Sequence, residues 1–157
     1  MWKKMIVLGT AICLLGSSVI HATDDVWPLT DNVGLVIRDY SASGYEPHTG
    51  VDIRYDPTTA ICTPIAGTVQ TVNEDEESGY FVLITNKENG ESFILCNLVE
   101  VNVAEGDTVS AGDEIGLVGD EYLHVEYIPQ GFGQGESVDP TPLLNAGGTR
   151  LEYPVSE

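Results

Sequence analysis

Apolar and polar residues alternate in short runs along most of the chain, and turn-forming residues separate the runs. Seven of these runs are rich in β-branched and aromatic side chains, which strands favour. They predict strands at 33–38, 60–65, 67–72, 80–85, 92–101, 113–118 and 122–128. After residue 22, no segment has the long 3.6-residue apolar repeat of an amphipathic helix. The pattern therefore predicts an all-β fold of short antiparallel strands, arranged as a sandwich or a curled sheet.

Glycine-containing pairs stand between these strands, where tight turns or loops are expected. They are Asn89–Gly90, Gly106–Asp107, Gly112–Asp113 and the stretch 131–135. No linker or low-complexity block divides the chain, so one domain is predicted.

The beginning of the chain has a different pattern, that of a secretory signal peptide. Lys3 and Lys4 precede an apolar run at 5–20, and an acidic stretch follows it. The run is shorter than the roughly 20 apolar residues that a membrane span needs. We predict a signal peptide at 1–22, an exported protein located in the periplasm, cell envelope or medium, and a single domain at 23–157. An uncleaved anchor is the alternative.

The net charge of the chain excludes some classes of binding partner. The chain has 25 acidic residues against 6 basic ones, a formal net charge of −19. It lacks a basic face that could neutralise phosphates, so nucleic acid is excluded as a partner, and anionic lipid surfaces should repel the protein. Loss of the leader would leave 4 basic residues against the same 25 acids, a net charge of −21.

Two cysteines, Cys62 and Cys96, lie beyond the predicted leader. In an oxidising compartment they could form a disulfide; two small buried strand residues are the alternative. Connectivity cannot be deduced from the sequence, so both readings stay open.

Histidines are scarce, and two of the three lie in suggestive places. His48 precedes Asp52 by four residues, and an imidazole with a carboxylate is a plausible pair of zinc ligands. In an extended strand the two residues would lie about 13 Å apart, too far for one ion. We therefore predict a bend between them, at Thr49–Gly50, where glycine tolerates unusual dihedrals.

The other histidine lies in the last predicted strand. The alternation of strand side chains puts Tyr122, His124 and Glu126 on one face and Leu123 with Val125 on the opposite face. The first face is the expected place of a site. Glu126 is a candidate acceptor that could orient a metal ligand, with a solvent-facing salt partner as the alternative.

Four segments, in this order, resemble the lysostaphin-type (LytM-domain) zinc endopeptidases of bacterial cell walls. They are the HxGxD motif at 48–52, the Gly-Asp hairpins at 103–119, Leu-His-Val-Glu at 123–126 and Val-Asp-Pro-Thr-Pro-Leu-Leu at 138–144. The resemblance extends over about 33–144. It implies a small antiparallel fold of the duplicated-hybrid-motif type with a groove, one zinc ion, and hydrolysis of peptidoglycan peptides. By position, the implied zinc ligands are His48, Asp52 and His124.

Two positions depart from this family. Tyr122 stands where the family has the first histidine of its HxH motif, and Asn97 stands where it has the histidine of a Y-x-H-L strand. The family's histidines are thought to activate the zinc-bound water and to stabilise the tetrahedral intermediate. Asn97 cannot exchange a proton near neutral pH, and Tyr122 is a poor base at its usual pKa of about 10. The segment before His124 is also shorter than the family's loop.

Three hypotheses follow. The preferred one is a degenerate family member that binds peptidoglycan peptides or regulates another wall hydrolase. The second is an active zinc endopeptidase, in which Tyr122 or a group outside the family pattern replaces the missing histidines. The third is a biotinyl- or lipoyl-like carrier domain with Lys87 as the attachment point, which export argues against.

Overall fold

The computed structural model describes residues 34–76, 79–146 and 151–154. The predicted leader lies outside these residues. The elements are β1 (Gly34–Arg38), β2 (Val51–Arg54), β3 (Ala60–Cys62), β4 (Gly67–Asp75), β5 (Gly79–Thr85), β6 (Ser92–Val101), β7 (Thr108–Val109), β8 (Glu114–Val118), β9 (Leu123–Ile128), α1 (Thr141–Ala146) and β10 (Leu151–Glu152).

The strands form one continuous curled sheet, which confirms the predicted all-β class. Along its main path the order is β10-β1-β2-β9-β6-β5-β4-β7, and β8 pairs with both β3 and β6. All pairs are antiparallel except β1 with β10. Each of the seven predicted segments contains a strand. The pattern did not predict β2, β7, β10 or α1.

Strands β2, β9 and β6 lie side by side at the centre of the sheet. Their apolar side chains face the core, where Val51, Ile53, Leu95, Leu123 and Val125 are all fully buried. Burial of such side chains supplies the main driving force for folding. This packing holds the three strands rigidly, so side chains on their opposite face have a fixed backbone beneath them.

Strand β6 changes partners along its length. Its first half pairs with β9 as far as Cys96, and its second half pairs with β8 from Leu98 onward. Asn97 lies at this fork and has a left-handed backbone, with φ of 67°. Asparagine adopts this conformation more readily than most residues, and its carbonyl oxygen accepts a hydrogen bond from Gly119 N at 3.1 Å.

Candidate metal centre

His48 lies just before β2, where the chain makes the predicted bend. Its backbone exchanges two hydrogen bonds with Ser41, at 2.9 and 3.0 Å. A bend at Thr49–Gly50 follows, and β2 begins at Val51. The bend brings His48 Nε2 to 3.1 Å from Asp52 Oδ1, far closer than an extended strand allows. The prediction of a bend between these two residues is confirmed.

Asp52 and His124 are cross-strand neighbours on β2 and β9. His124 Nδ1 lies 2.6 Å from Asp52 Oδ1. The ligand-type atoms of His48, Asp52 and His124 all lie within 4.8 Å of one another. The structure thus brings together the three residues that the sequence singled out, and we call them the His-Asp-His cluster.

The donor set of this cluster fits a zinc ion, which accepts imidazole nitrogen and carboxylate oxygen. Each imidazole is held through its other nitrogen. His48 Nδ1 lies 2.8 Å from the carbonyl oxygen of Asp39, and His124 Nε2 lies 3.1 Å from Glu126 Oε1. Such partners fix the orientation of a metal-binding imidazole. His48 therefore presents Nε2 and His124 presents Nδ1 to the same point in space.

The two carboxylates beside His124 set its charge in the metal-free protein. Burial lowers the pKa of His124, but hydrogen bonds and charge interactions with Asp52 and Glu126 outweigh burial and raise it to about 9. In turn, chiefly the hydrogen bond from His124 holds the pKa of Glu126 at about 2, with further help from Thr49 and Ser137. The metal-free site therefore carries a protonated His124 at neutral pH.

This charge predicts a pH-dependent affinity for zinc. A metal at Nδ1 must displace the proton of His124, so affinity should rise about tenfold per pH unit up to pH 9, with about one proton released per ion. The folding stability of the metal-free protein has the opposite pH dependence. The raised pKa of His124 stabilises the fold below pH 6.5, and this contribution is lost as pH rises through 9. Isothermal titration calorimetry in buffers of different ionisation enthalpy measures the proton count. Zinc binding at pH 7 without proton release contradicts the prediction.

Tyr122 and Asn97 are not part of the His-Asp-His cluster. Tyr122 is half-buried and immediately precedes β9, and Asn97 lies at the β6 fork beside Gly119 and Asp120. Four residues connect β8 to β9, and the comparison of this segment with the family's loop stays a prediction. A catalytic role for Tyr122 or Asn97 stays a prediction.

Both described cysteines are free thiols, so the structure does not contain the disulfide that the sequence left open. Cys62 lies on β3, whereas Cys96 lies on β6 opposite His124. Burial raises the pKa of both thiols, and with the nearby carboxylates of Glu126 and Asp52 it raises that of Cys96 to about 12. Both cysteines are therefore protonated thiols at neutral pH.

A cleft lies beside the cluster, as the groove implied by the family resemblance predicts, but the hydrogen bonds that line it were not predicted. The cleft has a volume of about 450 Å³ and lies between the segment 40–47 and the segment 129–138. Thr49, which donates to Glu126 Oε1 at 2.6 Å, and Ser137, which donates to Glu126 Oε2 at 2.9 Å, both line it. Thr49 lies inside the HxGxD motif, so its position was a usable signal; nothing in the sequence marks Ser137.

Among the described residues, no helix is long and apolar enough to cross a membrane. Lys87, the candidate attachment point of the carrier hypothesis, lies in the turn between β5 and β6.

The curled β-sheet places Asp52 on β2 and His124 on the adjacent β9, next to His48 in the segment before β2, and this arrangement is typical of a small metallopeptidase fold. The sequence model of peptidase family M23 matches residues 46–140, well over half of the chain. The chain belongs to peptidase family M23. This confirms the resemblance to lysostaphin-type proteins and leaves the carrier hypothesis without support.

Solved structures share the fold at low sequence identity. The catalytic domain of lysostaphin from Staphylococcus simulans superposes with a TM-score of 0.60 at 22% identity, over 69% of this chain and 90% of that domain. A zinc-containing peptidase from Vibrio cholerae gives 0.62 at 17%, over 71% of this chain and 37% of that one. A chain of the SpoIIIAH–SpoIIQ complex gives 0.65 at 20%, over 74% and 97%.

The chain spans 54% of the length of lysostaphin in the solution structure. No curated protein sequence matches it significantly.

Proposed function

We propose that this protein is an exported M23-family member that binds one zinc ion and acts at bacterial peptidoglycan, as a wall-binding or hydrolase-regulating protein with little or no peptidase activity of its own. The observation that carries the proposal is the combination of an assembled His-Asp-His cluster with Tyr122 and Asn97 at the two positions of the family's catalytic histidines.

The cluster supports metal binding. His48 and Asp52 are buried, His124 is half-buried, and each imidazole has its second nitrogen anchored. Structures that match this fold include one named as a zinc-containing peptidase. A bound zinc ion would supply a Lewis acid that polarises a peptide carbonyl and lowers the pKa of water.

The residues at the two family positions are poorly suited to the proton transfers of peptide hydrolysis. Peptide hydrolysis needs a group that takes a proton from the attacking water and one that returns a proton to the leaving amine. Asn97 can donate a hydrogen bond but cannot exchange a proton near neutral pH, and Tyr122 is a weak base. Because each proton-transfer group contributes about 10²–10⁴-fold, loss of two leaves metal binding without efficient turnover.

The family and its neighbours support peptidoglycan peptides as the ligand class, since one neighbour is lysostaphin, named as an antimicrobial peptidase. Export is supported by the signal-peptide pattern at 1–22. A role through a partner protein, such as another wall hydrolase, is supported by the match to a chain of the SpoIIIAH–SpoIIQ complex, which shows that this fold occurs in a protein–protein assembly.

An active zinc endopeptidase is the second candidate, favoured by the open cleft beside the intact cluster. Digestion of purified peptidoglycan sacculi separates the two. We expect the zinc-loaded protein to release no cross-link peptides and to sediment with the sacculi, whereas Asn97→His combined with Tyr122→His should release fragments. Histidine, like asparagine, tolerates the left-handed backbone at position 97.

His48→Ala in the background of the double variant is the matched control, because it removes a cluster ligand and keeps both restored histidines. It should abolish fragment release. Fragment release by the unaltered protein at a rate near that of the double variant would instead establish the active endopeptidase. Failure of the zinc-loaded protein to sediment with sacculi would contradict wall binding and leave the partner-directed role.

A further inference from the structure

The carboxylate of Glu126 lies at the centre of a hydrogen-bond network that ends on His124. Its Oε1 lies 3.1 Å from His124 Nε2 and accepts from Thr49 Oγ1 at 2.6 Å. Its Oε2 accepts from Ser137 Oγ at 2.9 Å. Three donors from three parts of the chain therefore fix both oxygens of one side chain. A carboxylate held in this way has little freedom to rotate away from His124.

Ser137 belongs to the segment 129–138, which forms one wall of the cleft. Its carbonyl oxygen accepts a hydrogen bond from Tyr40 Oη at 2.9 Å, and Tyr40 lies in the opposite wall. The next residue, Val138, donates its backbone N–H to Tyr127 at 2.9 Å. The position of Ser137 is thus set jointly by both walls of the cleft and by β9.

The hydrogen bond between Glu126 and His124 bears on how His124 binds a metal. A metal-bound imidazole offers one nitrogen to the ion, and the other nitrogen carries a proton that needs an acceptor. Since His124 Nδ1 faces Asp52 and His48, its Nε2–H must face Glu126 when a metal is bound. An ionised acceptor stabilises this arrangement and strengthens the imidazole as a ligand.

We propose that Glu126 is a positioning residue for His124 and that Ser137 couples the cleft wall to metal affinity by holding Glu126 in place. This inference rests on the zinc site of the proposed function. It has a consequence for ligands, because any molecule that moves the segment 129–138 on entering the cleft changes the affinity for zinc, and zinc binding changes the affinity for that molecule equally.

The test compares Glu126→Gln, which keeps the shape and removes the charge, with Ser137→Ala, which removes only the link to the cleft wall. Zinc dissociation constants are measured by competition with a chelating dye. We expect Glu126→Gln to weaken zinc binding about 10–100-fold and Ser137→Ala to weaken it about fivefold, as for the loss of one hydrogen bond. Glu136→Gln is the matched control, since this exposed carboxylate also lines the cleft, and it should stay within about twofold of the unaltered protein, as for a surface charge.

A second readout does not depend on affinity. The chain has only three histidines, so imidazole signals in ¹⁵N-resolved NMR spectra can be assigned with single variants. The Nε2–H proton of His124 should be protected from solvent exchange in the unaltered protein, with or without zinc, and should exchange faster in Ser137→Ala and Glu126→Gln. A merely structural role of Glu126 would lower thermal stability without selective loss of this protection.

The inference is overturned by zinc affinities of both variants within twofold of the unaltered protein, by unchanged protection of His124 Nε2–H, or by an equal loss in Glu136→Gln. If the unaltered protein binds no zinc, the proposed metal function fails, and the exchange measurement on metal-free protein still decides whether Glu126 and Ser137 position His124.

Discussion

Replacing His48 or His124 by alanine is expected to weaken zinc binding by more than about 100-fold, because loss of a direct ligand must exceed the 10–100-fold effect of losing an outer partner. The cluster offers one ligand atom from each of three residues within 4.8 Å. Open zinc sites use three protein ligands with water in the fourth position, so two protein ligands hold the ion much less tightly. The measurement is metal content of protein purified without chelator, together with the dissociation constant for added zinc.

Asp120→Asn provides the control for this experiment. Asp120 is an exposed carboxylate close to Asn97 and outside the cluster. In a chain with 25 acidic residues, unspecific binding to surface carboxylates would make Asp120→Asn and His48→Ala indistinguishable. Zinc content that is equal in the unaltered protein and in both histidine variants would remove the cluster as the metal site.

The second large effect is expected for Gly50→Ala. A methyl group at position 50 would overlap the backbone carbonyl oxygen of Val125 and lie 2.8 Å from His124 Cε1. The backbone cannot move without separating β2 from β9, the two strands that carry Asp52 and His124. We expect a loss of about 1–3 kcal/mol in the free energy of unfolding, typical of overpacking, and loss of zinc binding by the folded protein.

Gly116→Ala separates these two effects. A methyl group there would overlap the backbone carbonyl oxygen of Glu100, in the pairing of β8 with β6 and away from the cluster. Both variants should lower Tm by roughly 3–10 °C, measured by calorimetry on metal-free protein. Only Gly50→Ala should change the dissociation constant for zinc, measured below the transition. Equal zinc affinity of the two variants would contradict the argument.

Alternation along the sequence predicted the strands whose two faces differ. In β9, Leu123 and Val125 are fully buried, whereas His124 and Glu126 on the opposite face are half-buried. The strand β2 was missed although Val-Asp-Ile-Arg alternates apolar and polar residues, because four residues are the shortest run from which alternation can indicate a strand. The two-residue strands β7 and β10 exist only through their partners, and no local pattern can reveal such pairing.

The His-Asp-His cluster was predictable because histidine is rare in this chain. Two of the three histidines, and one aspartate four residues after the first, occupy its positions. The network around Glu126 was only partly predictable. A partner for Glu126 could be anticipated from its face of β9, but the hydrogen bond from Ser137 depends on how the segment after β9 folds back over the sheet. Such contacts arise from tertiary structure alone.

The fork of β6 at Asn97 limits which side chains can occupy this position without strain. Asparagine and histidine both accept the left-handed backbone that the fork imposes, so exchange of one for the other at position 97 costs the sheet little free energy. A histidine able to transfer protons could therefore replace Asn97 while the scaffold is unchanged. Two proteins that superpose closely over this sheet can therefore differ in the proton-transfer group at position 97.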